Sequence, residues 1–102
     1  MKTLQHAATL SQSQKIQIVK GEFTPTQALD IVLSLLSQKI NHHRLQEIQL
    51  WENDHEFNLA PIKSRILELE KEKEIAEQFI SQVKLNNKKL EIHGILNLKI
   101  IE

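Results

Sequence analysis

The stretch from Thr24 to Trp51, TPTQALDIVLSLLSQKINHHRLQEIQLW, contains no glycine and only one proline, at its second position. It therefore admits one unbroken helix and little else. Thr24, Pro25 and Gln27 carry the start signal of that helix. The Thr24 hydroxyl can accept from the Gln27 N–H while the Gln27 side chain reaches back, and Pro25 supplies a helical φ where its missing N–H costs nothing. Phe23 and Ala28 stand at the two positions of a hydrophobic staple. At 100° per residue, Ala28, Leu29, Ile31, Val32, Leu33, Leu35 and Leu36 spread over roughly 200°, about twice the apolar stripe of a one-sided surface helix. Such a helix needs two neighbours. Past Ile40 the stripe narrows, and its face continues through His43 and Glu47 to Leu50 and Trp51.

Glu52 to Asn58 is polar and holds Asp54 with two asparagines, the composition of a turn. A second helix is expected over 59–85, capped by Asn58 or Ala60, with Pro61 in its first turn. Its apolar positions Ile62, Ile66, Leu69, Ala76, Ile80 and Val83 alternate spacings of four and three once Lys73 is included. That is a heptad seam with one lysine in it. The ELEKEKE run over Glu68–Glu74 offers i,i+3 and i,i+4 ion pairs, such as Glu68 with Lys71 and Lys73 with Glu77, on a solvated face. Asn86 and Asn87 can end the helix in left-handed geometry, with Lys84, Lys88 and Lys89 complementing its negative end.

Strands flank the hairpin. Ile16 and Ile18 alternate with Lys15 and Gln17, which predicts a strand over 15–20 broken by Gly21. In KLEIHGILNLKIIE, Leu90, Ile92, Leu96, Leu98 and Ile100 share one face with Gly94, while Glu91, His93, Asn97 and Lys99 share the other. This predicts a strand over 88–101. Residues 1–14 are rich in Ser, Gln and Thr and are expected to fray as a flexible N-terminal segment, with a strand extension through Leu4, Ala8 and Leu10 as the alternative. The fold class expected is α+β, predominantly α, in the order β-α-α-β. A long antiparallel helical hairpin packs on an antiparallel strand pair, within one domain over 15–102.

A two-stranded ribbon is marginal alone, and a long apolar strand with an open edge invites another chain. Together with the over-wide arc of the first helix, this leads to the expectation that oligomerisation completes the fold, as a homodimer or homotetramer. With 13 basic and 13 acidic residues the chain has no net charge, so overall charge supports neither nucleic-acid nor anionic-membrane binding. No apolar run approaches the roughly 20 residues of a membrane span, and no signal peptide is read at the N-terminus. Cysteine is absent, which removes disulfides and thiolate metal sites and fits a cytoplasmic protein.

Chemistry-bearing residues are few. His43 and Glu47 lie one helical turn apart on an apolar face, where a carboxylate can orient an imidazole. With Trp51 they make the candidate ligand site, placed at a subunit interface. No serine, cysteine or second carboxylate has a defined place beside them, so no catalytic residue is assigned. Glu52 and His55 have the Glu-x-x-His spacing of di-metal bundles, but at a helix end and with no histidine on the second helix. Adjacent His42 and His43 diverge by about 100° on a helix and are poorly placed to chelate together. No metal or cofactor is expected. Lys84, Lys88 and Lys89 with His93 lack the interleaved aromatics of a nucleic-acid surface.

The segments GEFTPTQALDIVLSL, QKINHHRLQ, RILELEKEKE and KLEIHG resemble a family of short uncharacterised bacterial proteins. The likeness covers most of the chain from about Gln17. It implies a bacterial, intracellular origin and brings no catalytic residue or ligand with it. The reading as a whole is a non-enzymatic oligomeric interaction module. A small-ligand or metal-binding protein using His43, Glu47 and Trp51 is the alternative.

Overall fold

The computed structural model describes residues 12–102, in the order β1 (Ser13–Phe23), α1 (Pro25–Asn53), α2 (Ala60–Leu85) and β2 (Leu90–Lys99). The β-α-α-β order, the antiparallel pairing of the two helices and the antiparallel two-stranded sheet all match the expectation. The fraying expected over residues 1–14 lies, as far as residue 11, outside the described residues, while Ser13 and Gln14 belong to β1. Two compact units emerge, the helical hairpin over Phe23–Leu90 and the strand pair formed by the chain segments on either side of it.

The hairpin starts as its sequence dictates. Gln27 N–H donates to Thr24 Oγ1 at 3.2 Å and Thr24 N–H donates to Gln27 Oε1 at 3.1 Å, a closed capping box. Ala28, four residues past the cap, is wholly buried. Helix α1 then runs two residues beyond Trp51. Asp54 ends it, its N–H reaching Leu50 O at 3.0 Å and its Oδ1 accepting the Glu56 N–H at 3.0 Å. The residue capping α2 is Leu59, not Asn58 or Ala60, and no side chain bonds from the cap position itself. Asn58 instead serves from one residue earlier, its Oδ1 accepting the Ala60 N–H at 3.1 Å. An Asx turn thus does the work of a cap.

The two helices meet along the seam that the heptad spacing marks. On α2 the positions shielded from solvent are Ile62, Ile66, Leu69, Lys73, Ala76, Ile80 and Val83, joined by Glu70. On α1 the shielded line beyond Val32 and Leu33 is Leu36, Ser37, Ile40, His43, Glu47 and Leu50. Ile40, Ile66 and Leu69 form the centre, flanked by Leu36 and Ile62. This core is thin: among the described residues the buried apolar side chains are Ala28, Ile40, Ile66, Leu69 and Ile80. Arg44 with Glu70 (3.8 Å) and Lys63 with Glu47 (3.7 Å) bridge the helices at the rim. Glu68 pairs with Arg65 at 2.9 Å and not with Lys71, and Glu70 reaches across to α1. The expected ladder within ELEKEKE is displaced because antiparallel packing brings Arg44 beside it.

Helix α2 stops in a Schellman motif. Asn87 takes φ 55°, the left-handed region, and the Lys88 and Asn87 N–H groups donate to Val83 O at 3.2 Å and Lys84 O at 3.1 Å. Lys88 and Lys89 are thereby part of the helix stop, and β2 begins at Leu90, two residues later than the alternation suggested.

In the sheet, Gly21 does not end β1. The strand passes through it with φ 148°, a backbone geometry that glycine adopts and L-residues avoid, and continues to Phe23. Gly94 lies against two consecutive residues of β1: a Cβ placed there would stand 3.0 Å from Val19 Cγ1 and 3.4 Å from Ile18 Cγ1. Neighbouring side chains in a regular strand point to opposite faces, so two of them against one glycine mark a bulge-like step in register. The step changes the parity of β1. Its shielded residues are Val19, Gly21 and Phe23, whereas Ile16 and Ile18 are exposed. On β2 the alternation is visible over Leu90, Ile92 and Gly94, but from Ile95 to Lys99 every residue is exposed, Leu96 and Leu98 included. The one-sided burial expected along all of β2 holds for its first half.

Candidate functional site

The three residues singled out by sequence lie along the C-terminal half of α1, but they do not act on one another as the spacing suggested. His43 is half-buried in the seam, and its Nδ1 lies 3.4 Å from Gln46 Oε1. Glu47, one turn on, directs Oε2 toward Lys63 Nζ on α2 at 3.7 Å. The carboxylate expected to orient the imidazole is drawn instead to an ammonium across the hairpin. Opposite charge favours this contact, since the lysine offers the carboxylate a full unit charge.

Trp51 is 48% exposed and does not close the end of the core. Its indole stacks on His55 in the turn, with ring centroids 4.0 Å apart and planes 21° from parallel. The turn after Asp54 folds His55 back over the last turn of α1, so two aromatic rings four residues apart meet face to face. Glu47, Ile48, Trp51, Glu52, Leu59 and Lys63 line an open groove of about 390 Å³ at this end of the hairpin. The structure therefore brings Glu47 and Trp51 to one groove and leaves His43 out of its lining.

Metal chemistry gains no support from this geometry. Among the described residues, no three His, Asp or Glu side chains converge where an ion could sit. Glu52 faces the groove while His55 is engaged with Trp51, so the Glu-x-x-His spacing does not become a ligand set. His42 and His43 meet edge to face, with centroids 5.6 Å apart and planes at 65°. Glu47 thus faces an ammonium and His43 an amide.

A second groove, of about 400 Å³, escaped the sequence reading. Val32, Leu35 and Leu36 on α1 and Ile75, Ala76 and Phe79 on α2 form its apolar walls, with Glu72 at its margin. Leu35, Ile75 and Phe79 are each about half exposed. The signal was present in the sequence: Ile75 and Phe79 stand four apart, one helical turn, on either side of small Ala76. Attention to the best-spaced heptad positions hid them. Lys63 was missed for another reason, since no pattern on one helix reveals which charge the other helix presents to Glu47. No helix among the described residues is long and apolar enough to cross a membrane.

No family model, no curated protein and no solved structure matches the chain.

Proposed function

We propose that the protein is a non-enzymatic interaction module that works as a homo-oligomer, with the apolar side of the helical hairpin seated against a second copy. The observation that carries this reading is the groove between Val32, Leu35 and Leu36 on α1 and Ile75, Ala76 and Phe79 on α2, open to solvent beside a thin core that has five buried residues among the described ones. Exposed apolar surface of this continuity marks a contact site. A second copy suits it because the chain carries no net charge to oppose self-association, and because α1 presents an over-wide apolar arc to which α2 adds exposed Ile75 and Phe79, as four-helix packing uses. A surface of the assembled oligomer outside that contact, helical or at the strand edge, then binds a further protein. The absence of cysteine supports a reducing compartment, and the reading places the module in the cytoplasm.

Sedimentation velocity at micromolar concentration tests the proposal directly. The expected result is a dimer or tetramer that Phe79→Glu shifts toward monomer while the circular dichroism remains helical. A folded monomer in the unsubstituted protein would overturn it.

One observation favours a second reading, small-ligand binding: Trp51 and the Glu47–Lys63 pair share one open groove. That groove offers an aromatic edge and both signs of charge, but its openness gives a small molecule little to be buried by.

A further inference from the structure

We infer that β2 is a self-complementary edge strand, and that a second copy of the chain pairs with it antiparallel about a two-fold axis through Ile95. The inference rests on the self-association proposed above and names a contact for it that is separate from the helical groove.

The sheet has two strands, so β2 has one edge against β1 and one edge without a strand among the described residues. The Ile100 N–H donates to Gln12 O at 2.9 Å, which directs the backbone groups of the even-numbered residues of β2 toward β1. Those of Glu91, His93, Ile95, Asn97 and Lys99 consequently point outward. An antiparallel partner would pair these five positions through about ten backbone hydrogen bonds. The side chains of these five residues are open to solvent and free to meet a partner strand's.

The side chains select the partner and the register. A two-fold perpendicular to the sheet keeps each face of the strand on its own side, so the register must place one residue opposite itself. With Ile95 on the axis, Glu91 faces the partner's Lys99 and His93 faces the partner's Asn97, each twice. On the other face Ile92 meets the partner's Leu98, Gly94 meets the partner's Leu96, and Leu90 meets the partner's Ile100. Opposite charges meet at Glu91 and Lys99, polar side chains at His93 and Asn97, and apolar residues or glycine at the remaining positions, a pattern that favours cross-strand pairing.

Neighbouring registers fail. An axis through Gly94 sets Lys89 against the partner's Lys99 and His93 against the partner's Ile95. An axis through Leu96 sets Glu91 against the partner's Ile101 and Ile95 against the partner's Asn97. Strand β1 has no such register, since axes through Gln17, Ile18 and Val19 bring together Lys15 with Val19, Ile16 with Lys20, and Ile16 with Glu22.

The pairing also answers the half-finished burial of β2. Leu96 and Leu98, about half exposed in the single chain, fall beside Gly94 and Ile92 of the partner subunit, the shielded half of the same stripe. Two marginal ribbons become one four-stranded sheet.

Two measurements test this. In the first, Ile95→Cys supplies the only cysteine in the chain. Directly opposed Cα atoms in a hydrogen-bonded antiparallel pair are about 5.5 Å apart, within disulfide reach. Mild oxidation should cross-link it to a dimer, while Asn97→Cys, four strand positions from its own copy or about 13 Å, should not cross-link. In the second, Glu91→Lys and Lys99→Glu each set like charges opposite one another twice and should weaken association about tenfold. Mixed in equal amounts, the two variants restore opposite pairs at both positions and should recover the unsubstituted affinity.

If the protein is an oligomer but Ile95→Cys does not cross-link, or the mixture fails to recover, the strand pairing is wrong and self-association stands through another surface. A monomer at micromolar concentration removes both.

Discussion

Glu47 and Lys63 face each other across the hairpin, Oε2 to Nζ, at 3.7 Å, with the carboxylate the less exposed of the two. The pair joins the C-terminal half of α1 to the start of α2 and leaves His43 to Gln46, at 3.4 Å. This one contact separates the His43–Glu47 pair of the candidate ligand site into two contacts, one across the hairpin and one within α1.

A double-mutant cycle measures that separation. Glu47→Gln and Lys63→Met should each cost less than about 1 kcal/mol, with the coupling between them lost at high salt, as for a partly exposed ion pair. The cycle of Glu47→Gln with His43→Ala should be additive within about 0.5 kcal/mol. Urea unfolding is the measurement, and a His43–Glu47 coupling above about 1 kcal/mol would contradict the geometry.

Leu67 and Leu69 stand two positions apart on α2, 69% and 3% exposed respectively. Leu69→Ala should cost about 2–5 kcal/mol by opening a cavity beside Ile40 and Ile66, which in so thin a core is enough to unfold much of the population at 37 °C. Leu67→Ala should stay within about 0.5 kcal/mol. Thermal melts of the two variants, run side by side, check the direction in which α2 faces.

Gly94 is held without a side chain by the two β1 residues against it. Gly94→Val should destabilise the chain by about 1–3 kcal/mol through overpacking. Adding Val19→Ala should recover part of the loss, because Val19 Cγ1 is the nearest atom at 3.0 Å. Equal stability of the single and double variants would show that Val19 is not the obstruction.

Lys73 is half-shielded in the helical seam. Lys73→Leu should raise the melting temperature, by burying apolar area where a lysine stem must reach out to water. It should also broaden the oligomer distribution in sedimentation, because a polar residue in a seam restricts the ways helices can pair. A single sharp species after the change would remove the register role from Lys73.

Much of this protein was legible in its sequence because the signals are local. Thr24, Pro25 and Gln27 are neighbours, and their capping box follows from spacing alone. Asn86 and Asn87 stop α2 for a reason internal to the last turn. The seam from Ile62 to Val83 is a periodicity, and the structure shields the positions that periodicity names, Lys73 among them. Gly21 misled because glycine is read as a break, although a strand can carry one through at φ 148°.

What remained belonged to the meeting of distant segments. Lys63 draws Glu47 away from His43, Arg44 draws Glu70 out of the ELEKEKE ladder, and Val19 joins Ile18 against Gly94. None of these is written in a spacing, because each depends on the register in which two elements come together. The sequence by itself determined the capped start of α1, the stop of α2 and the seam face of α2, since caps and periodicity act within a few turns. Only the tertiary structure decided which charge answers which and which apolar residues stay exposed, since those depend on distances between residues far apart along the chain.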